Sequence, residues 1–248
     1  MEEEDTKELA NPLQRTSQWF ADRCGCLTGS RAAKVFEVSK RDGKPLKGYT
    51  DLIETLIAER ATGECESAFN SAAMQWGSDH EAEARGYYEL KTGNLVDLVG
   101  FVRHDTIPFF GASPDGLVGD DGLVEIKCPN TTTHLKRIRE GKVPEEYKPQ
   151  MLVQLIVTGR KWCDFVDYDP RVLDERLRYF CVRFEPTEEE RKETLEKCKA
   201  FLDKVDVEYR ALLQAVGAYK EPAEDPDGTE GEALVTDLWI ADDEEIPF

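Results

Sequence analysis

Apolar residues recur at three-to-four spacing in several stretches of the chain, and this period predicts amphipathic helices. The predicted helices cover 19–23, 28–36, 51–63, 78–93, 131–141, 146–157 and 187–217. Ser78 with Glu81, and Thr187 with Glu190, form S/T-x-x-E capping boxes that would open two of them. Short apolar runs divided by turn residues predict strands within 95–128 and over 163–168 and 178–184. The alternation of helices and strands predicts an α/β fold.

Charge divides the chain into three parts. The formal net charge is −19, yet Glu221 to Phe248 contains eleven acids and no Lys or Arg. Without this end and the acidic first eight residues, the remainder carries only −4. We therefore expect a flexible acidic arm at 1–14, one folded domain at 15–217, and an acidic linker and tail at 218–248.

Composition narrows the classes of protein further. No apolar run approaches the roughly 18–20 residues that cross a bilayer, and the N-terminus is acidic, so a cytoplasmic location is expected. Seven cysteines without paired C-x-x-C spacing favour reduced thiols, with an iron–sulfur cluster as the alternative. Basic residues within 134–142 and 158–162 leave room for a DNA-binding channel despite the acidic total.

The segment 113–129 carries the strongest chemical signal. Glu125 and Lys127 lie two apart on a predicted strand, so their side chains share one face. A hairpin centred near residue 120 would place Asp115 opposite Glu125, with Cβ atoms about 5 Å apart. Two opposed carboxylates destabilise a sheet unless a cation lies between them, and oxygen ligands favour Mg²⁺ or Mn²⁺. The alternative is a Pro-Asp-Gly turn followed by a solvated edge-strand pair.

These residues resemble a known nuclease signature. Pro114-Asp115 with Glu125-Ile126-Lys127 is similar to the PD-(D/E)xK pattern. The surrounding segments are more specific: 19–30, 76–84, 112–118, 124–129 and 147–171 resemble the YqaJ-like viral recombinase family, which includes phage lambda exonuclease. The resemblance covers roughly 15–185. It implies a restriction-endonuclease-like core, in which helices flank a mixed central sheet. In addition to that core, we expect this chain to have a long C-terminal helix and a flexible acidic tail.

The resemblance also implies a function and its partners. It implies a metal-dependent 5′→3′ exonuclease that degrades double-stranded DNA and leaves 3′ single-stranded overhangs for annealing recombination. Mg²⁺ is the implied cofactor, with Mn²⁺ as a substitute. A homotrimer, a single-strand annealing protein as partner, and a bacterial host or phage origin are further expectations.

Site residues follow from the same resemblance. Asp115, Glu125 and the carbonyl of Ile126 match the metal ligands, Lys127 the catalytic lysine, and Glu81 a helix-borne acid, for which a capping role is the alternative. Three kinds of DNA-binding position are also matched. Arg23, Ser30 and Ser113 match a pocket for the 5′-terminal phosphate, and Met74 matches an apolar wedge that splits the terminal base pair. Gln150 and Gln154 match glutamines on the helix after the site, where an amide can orient water or a phosphate. For Met74, core packing is the alternative.

Other classes of protein remain open at this point. A RecB-like, CRISPR-associated or restriction-type nuclease shares the Asp/Glu-x-Lys core. An acidic DNA mimic or interaction module would explain the net charge directly, although such a protein needs no metal site.

The last residues suggest a separate partner-binding element. The segment 242–248, DDEEIPF, is similar to the acidic tip of bacterial single-stranded DNA-binding proteins. Ile246, Pro247 and Phe248 would fill an apolar pocket while the acids approach a basic rim. A solubilising tail and an autoinhibitory tail are the alternatives.

Overall fold

The computed structural model describes residues 11–65 and 72–218. In this part of the chain the helices are α1 (Ser17–Arg23), α2 (Ala33–Phe36), α3 (Lys47–Thr62), α4 (Ala72–Thr92), α5 (Thr131–Glu140), α6 (Lys148–Thr158) and α7 (Glu188–Ala215). The strands are β1 (Leu27–Thr28), β2 (Val96–Asp97), β3 (Val102–Arg103), β4 (Phe110–Ala112), β5 (Gly116–Val118), β6 (Gly122–Lys127), β7 (Trp162–Tyr168) and β8 (Tyr179–Phe184). No helix in these ranges is both long and apolar enough to cross a membrane.

The larger sheet has the strand order β2-β5-β6-β7-β8. Its β6–β7 pair is parallel, whereas the other neighbours are antiparallel. A parallel pair needs a long crossover, and here α5 and α6 supply it. A smaller sheet has the order β1-β4-β3. The predicted α/β fold with a mixed central sheet, flanking helices and a long C-terminal helix is confirmed.

Alternate residues of β6 point to opposite faces of the sheet, and a different helix covers each face. Val124 packs with Tyr88 of α4, whereas Leu123 packs with Leu155 of α6. A third cluster joins α3, α7 and the small sheet around Leu56 and other buried residues. Glu125 shares the face of Leu123 because the side-chain period of a strand is two. Its carboxylate is therefore directed towards α6.

Several predicted helix ends agree with the structure. The Thr16 hydroxyl accepts a hydrogen bond from Trp19 N at 3.1 Å and caps α1. Gly63 adopts φ 68° after α3, a conformation that glycine reaches without a Cβ clash. Thr187 and Glu190 form the predicted capping box of α7.

Other local predictions were wrong. Ser78 lies inside α4, where its hydroxyl donates to Met74 O, so Ser78 and Glu81 form no capping box. The predicted helix from Thr28 is instead a short strand, a 3₁₀ turn at Gly29–Arg31, and the one-turn α2. The strand forms because Leu27 pairs with Phe110 of β4, a long-range contact that overrides local capping.

Residues 11–14 are held against the domain rather than extending from it. Asn11 is buried and donates to Val99 O, and Gln14 donates to Val99 O and Pro114 O. The expectation of a flexible arm therefore does not hold for these four residues. The rest of the arm, 1–10, lies outside the described residues.

Some residues of the two basic segments are used for internal contacts. Buried His134 and Arg137 both bind Asp167, with Arg137 Nη1 at 2.6 Å from its carboxylate. The guanidinium of Arg160 donates to the carbonyls of Gly119 and Gly122 at 2.7 and 2.8 Å. His134, Arg137 and Arg160 therefore fix the fold. Lys136, Arg139, Lys142 and Lys161 of the same segments are exposed, so the basic channel that the sequence left open stays a prediction.

Candidate active site

The hairpin predicted around residue 120 is confirmed. Gly116 pairs with Val124, and Val118 pairs with Gly122, so β5 and β6 are related about that position. Asp115 directly precedes β5, and its Oδ2 accepts a hydrogen bond from Ile126 N at 2.7 Å. In an antiparallel pair the N–H and C=O of a residue point to the same neighbour, so the Ile126 carbonyl also faces the side of Asp115.

Glu125 receives hydrogen bonds from three side chains. Its Oε1 lies 2.5 Å from Lys127 Nζ, which confirms that these two side chains share a face. Gln150 Nε2 donates to the same oxygen, and Gln154 Nε2 donates to Oε2, each at 2.6 Å. The Glu125 side chain is fully buried. Burial of a carboxylate is costly, and these three donors offset that cost.

The two glutamines lie on α6, the helix after the site, as the resemblance implied. Both amides bind the Glu125 carboxylate in the structure, and their predicted DNA contact stays a prediction. Gln154 is almost fully buried, and its Oε1 has no hydrogen-bond partner in the described part of the chain. An unpaired buried amide oxygen is unusual and marks a position where a further donor would be stabilising.

Three carboxylates influence one another at this end of the sheet. Burial raises the pKa of Asp115 well above its usual value, and the charges of Glu125 and Glu81 raise it further. Burial likewise raises the pKa of Glu81, against the opposing effects of Arg15 and Arg85. Although burial opposes the charge of Lys127, the neighbouring Glu125 and Asp115 raise its pKa. The repulsion among the carboxylates is the electrostatic condition that a bound cation would relieve.

The donor set suits a hard divalent cation. Carboxylates and a backbone carbonyl are the ligands that Mg²⁺ and Mn²⁺ prefer. Nevertheless, no group of three or more His, Cys, Asp and Glu side chains is arranged as a complete metal site in residues 11–65 and 72–218. That range includes all seven cysteines, which are unpaired, so the iron–sulfur alternative gains no support. The residues fit a Mg²⁺-type ion in chemistry, with Glu125 at present held by Lys127 and two amides.

The helix α4 carries both Met74 and Glu81. Met74 is 46% exposed, which excludes core packing as the reason for an apolar side chain there. Glu81 lies two turns further along the same helix and interacts electrostatically with Glu125 and Lys127. The capping alternative for Glu81 fails because α4 begins at Ala72. The helix α4 therefore carries both the exposed side chain of Met74 and the Glu81 carboxylate, which interacts with Glu125 of the sheet.

Arg23 forms the centre of a polar pocket. Its guanidinium donates to Ser113 Oγ and Ser30 Oγ at 3.1 Å each, and its Cζ lies 4.0 Å from the Trp19 ring centroid. Burial and the charge of Arg31 lower the pKa of Arg23 to about 10. Both of these acceptors are neutral hydroxyl groups. The structure therefore brings together the three residues predicted for a phosphate pocket.

Sequence reasoning missed two aromatic residues of the site. The Lys127 ammonium lies 5.2 Å from the Tyr147 ring centroid, and the Tyr147 hydroxyl accepts a hydrogen bond from Arg137. Trp19 Nε1 donates to Ser113 Oγ at 2.9 Å. Both residues lie in segments that carried the family resemblance, but the pattern alone does not show which neighbour each would contact.

The predicted docking of the C-terminal tail on a partner cannot be compared with the structure. Ile246, Pro247 and Phe248 lie outside the described residues. Their role as a docking tip stays a prediction.

The chain belongs to the YqaJ-like viral recombinase family, whose domain profile matches residues 18–161. Together with the carboxylate and lysine arrangement, this membership supports the class of recombination nucleases. No curated protein matches the chain significantly.

Solved structures give nearer relatives. The chain is 44% identical to an alkaline exonuclease, LHK-Exo, from Laribacter hongkongensis, with a TM-score of 0.74 over 82% of this chain and 98% of that one. A structure of LHK-Exo in complex with dAMP matches with the same values. A phage-related exonuclease from Haemophilus somnus 129PT shares 14% identity at a TM-score of 0.58, over 77% of this chain and 96% of that one, which shows a common fold.

Proposed function

We propose that the protein is a metal-dependent 5′→3′ exonuclease that degrades double-stranded DNA and leaves 3′ overhangs for single-strand annealing recombination. The observation that carries the proposal is the convergence of Asp115, Glu125 and Lys127 at the end of β6. Family membership and the 44% identity to an alkaline exonuclease support the class of reaction. The dAMP in the complex of that relative supports a mononucleotide as product.

Residues of this chain would hold the cation and prepare the bond for hydrolysis. Asp115, Glu125 and the Ile126 carbonyl would provide ligands, with Glu81 completing the site from α4. A Mg²⁺ ion, or Mn²⁺ in its place, would supply Lewis-acid activation of water and neutralise the phosphate. Lys127, as an ammonium held by Glu125, would donate to the reacting phosphate and stabilise the developing charge. Gln150 and Gln154 would keep the Glu125 carboxylate in one orientation.

DNA would be positioned from two sides. Arg23 suits a terminal 5′-phosphate because its planar fork binds two oxygens at once, and Ser30 and Ser113 orient that fork. Exposed Met74 would pack against the terminal base pair and help separate it. If the Arg23 pocket holds the terminal 5′-phosphate while the same strand is hydrolysed at the carboxylate site, successive cuts would proceed in the 5′→3′ direction.

The proposal includes a domain division and two kinds of partner. Residues 15–217 would form the exonuclease domain, and 218–248 an acidic linker and tail. By the family resemblance, the chain would assemble as a homotrimer around DNA and act beside a single-strand annealing protein. The mass of the protein in solution, measured by light scattering with and without duplex DNA, tests the trimer directly.

The decisive experiment uses linear duplexes labelled at either end, with a 5′-phosphate or a 5′-hydroxyl, in Mg²⁺ or in EDTA. We expect release of label from the 5′ end first, faster with the phosphate, and no release in EDTA. Release from the 3′ end first would refute the polarity. Equal degradation in EDTA would refute the metal requirement. A protein that binds the duplex but never degrades it would favour the DNA-mimic alternative.

A further inference from the structure

The helix α4 is anchored to the domain on both sides of Glu81. C-terminal to Glu81, Tyr88 is buried in the apolar cluster that covers one face of the larger sheet. N-terminal to it the anchor is polar, because the guanidinium of Arg171 lies over the Trp76 ring with Cζ 4.3 Å from the ring centroid. Trp76 also stacks on His80, the direct neighbour of Glu81, with 3.7 Å between the ring centroids. The position of Glu81 therefore depends on both anchors.

The guanidinium of Arg171, which follows β7, is itself fixed to the sheet. Its Nε donates to Asp169 Oδ1 at 2.7 Å, and its Nη2 donates to Asp169 Oδ2 at 3.1 Å. The same Nη2 donates to Pro129 O at 2.9 Å, two residues beyond Lys127 at the end of β6. The Asp169 side chain is fully buried, so this ion pair is not a loose surface contact. One planar group therefore joins the strand end that carries Lys127 to the helix that carries Glu81.

A second Asp-x-Arg pair in the chain shows what is particular to Arg171. Arg176 binds the two carboxylate oxygens of Asp174 through Nε and Nη2, at 3.0 and 2.7 Å. The Arg176 side chain is 87% exposed, against 42% for Arg171. The fork therefore forms at an exposed site from the Asp-x-Arg sequence itself. What the fold adds at Arg171 is the contact with Trp76 and Pro129.

The geometry points to Arg171 as a positioning residue that holds Glu81 in place for the divalent cation. This inference rests on the proposed metal site. Asp115 and Glu125 belong to one hairpin, whereas Glu81 comes from α4, so its distance from them is set by how α4 lies on the sheet. Arginine suits the role because its edge can bind a carboxylate while its face stacks on an aromatic ring, which a lysine ammonium cannot do. Without this stack, the N-terminal half of α4 can shift relative to β6.

The test compares Arg171→Lys with the matched change Arg176→Lys. Each substitution keeps a positive charge beside its aspartate and removes the fork, but only the first removes the stack on Trp76. Keeping the charge matters because a buried Asp169 without a cation would endanger the fold. Binding of Mn²⁺ to the metal-free protein is followed by the electron paramagnetic resonance signal of free Mn²⁺. The Mg²⁺ concentration for half-maximal degradation of duplex DNA is measured in parallel, and thermal unfolding monitors the fold.

We expect Arg171→Lys to raise the dissociation constant for Mn²⁺ about tenfold, as is typical when a group that orients a metal ligand is replaced. The half-maximal Mg²⁺ concentration should rise with it. Arg176→Lys should leave both values unchanged. Trp76→Leu removes the stacking surface on α4 but keeps the pair of Asp169 and Arg171, and it should raise both values as well. This second variant decides the question if Arg171→Lys does not fold.

Combination with Glu81→Gln separates positioning of Glu81 from a general structural role. If Arg171 acts through Glu81, Arg171→Lys should weaken Mn²⁺ binding by less than about twofold when the Glu81 carboxylate has already been removed. Independent effects of the two substitutions would multiply instead.

Two results would overturn the inference. One is that folded Arg171→Lys and Trp76→Leu proteins bind Mn²⁺ as tightly as Arg176→Lys does. The other is a loss of Mn²⁺ binding that multiplies fully with the loss in Glu81→Gln. A wild-type protein that binds no Mn²⁺ would refute the metal site and the inference with it. Mn²⁺ binding without degradation of DNA would refute the proposed nuclease function alone, and the comparison of Mn²⁺ affinities would still decide the role of Arg171.

Discussion

Replacing Glu125 by Gln removes one charge from the centre of the site while keeping its shape. The carboxylate accepts from Lys127 at 2.5 Å and from Gln150 and Gln154 at 2.6 Å. A hydrogen bond to a charged group contributes about 1.5–3 kcal/mol to stability. The amide can still accept on one side, but its NH₂ group then faces a donor on the other.

Two effects of this substitution on stability oppose each other. The lost acceptor leaves at least one buried donor unpaired. Removal of the charge, on the other hand, relieves the repulsion that, after burial, raises the pKa of Asp115. We therefore expect a net loss of about 1–3 kcal/mol in the free energy of unfolding, near the cost of one unsatisfied buried group. Urea denaturation at a fixed pH measures this value.

The effect on hydrolysis should be much larger. A cation and its ligands contribute several kcal/mol to transition-state stabilisation, so Glu125→Gln should lower kcat/KM by about 10²-fold or more. Glu83→Gln provides a matched carboxylate-to-amide change, because Glu83 lies on α4 and accepts from Tyr168 at 2.7 Å outside the site. That control should keep its rate. If Glu125→Gln degrades duplex DNA within about threefold of wild type, a loss below 1 kcal/mol, the assignment is refuted.

Four further outcomes are expected. Arg23→Ala should reduce the preference for 5′-phosphorylated ends by an amount equivalent to about 1.5–3 kcal/mol, with an unchanged ratio of the two rates as the contrary result. Hydrolysis should proceed in Mg²⁺ or Mn²⁺ and stop in Ca²⁺, a larger ion with looser geometry; equal rates in Ca²⁺ would contradict a Mg²⁺-type site. The pKa of His134 is raised because its hydrogen bonds to Asp167 and Leu177 O outweigh burial, so its stabilisation is complete below the unfolded pKa of about 6.5 and is lost as pH rises through the folded pKa. His134→Gln should therefore lower the midpoint of thermal unfolding most at acidic pH. An equal lowering of the midpoint at pH values below and above the folded pKa would show that the charge of His134 does not stabilise the fold. Deleting residues 246–248 should abolish binding to the annealing partner and leave degradation of naked DNA unchanged, whereas faster degradation would favour autoinhibition.

The local pattern predicted the parts of the site that lie close together in sequence. The Gly119–Gly122 turn fixes the hairpin register, and that register places Asp115 beside Ile126 N. The alternation of a strand places Glu125 and Lys127 together. Turn geometry and strand period act over about ten residues, so a single sequence is sufficient for this half of the site.

Contacts between distant segments were not predictable in the same way. Gln150 and Gln154 reach Glu125 only because the crossover lays α6 on one face of the sheet. Likewise, the capping box proposed at Ser78 failed because α4 begins six residues earlier, and an S-x-x-E pattern also occurs inside helices. Nothing in the sequence near Arg171 indicates that Trp76 of α4 stacks on it. These positions depend on packing between elements, which period and capping do not encode.

The continuity of α4 has a mechanical consequence. Met74 and Glu81 are seven residues apart on one unbroken helix, which corresponds to about 10 Å of rise and nearly two complete turns. The two side chains therefore project from almost the same side of the helix. If Met74 packs against a terminal base pair, as proposed, the helix connects that contact directly to Glu81. Under the proposed function, strand separation at Met74 and metal binding at Glu81 would then be coupled through α4.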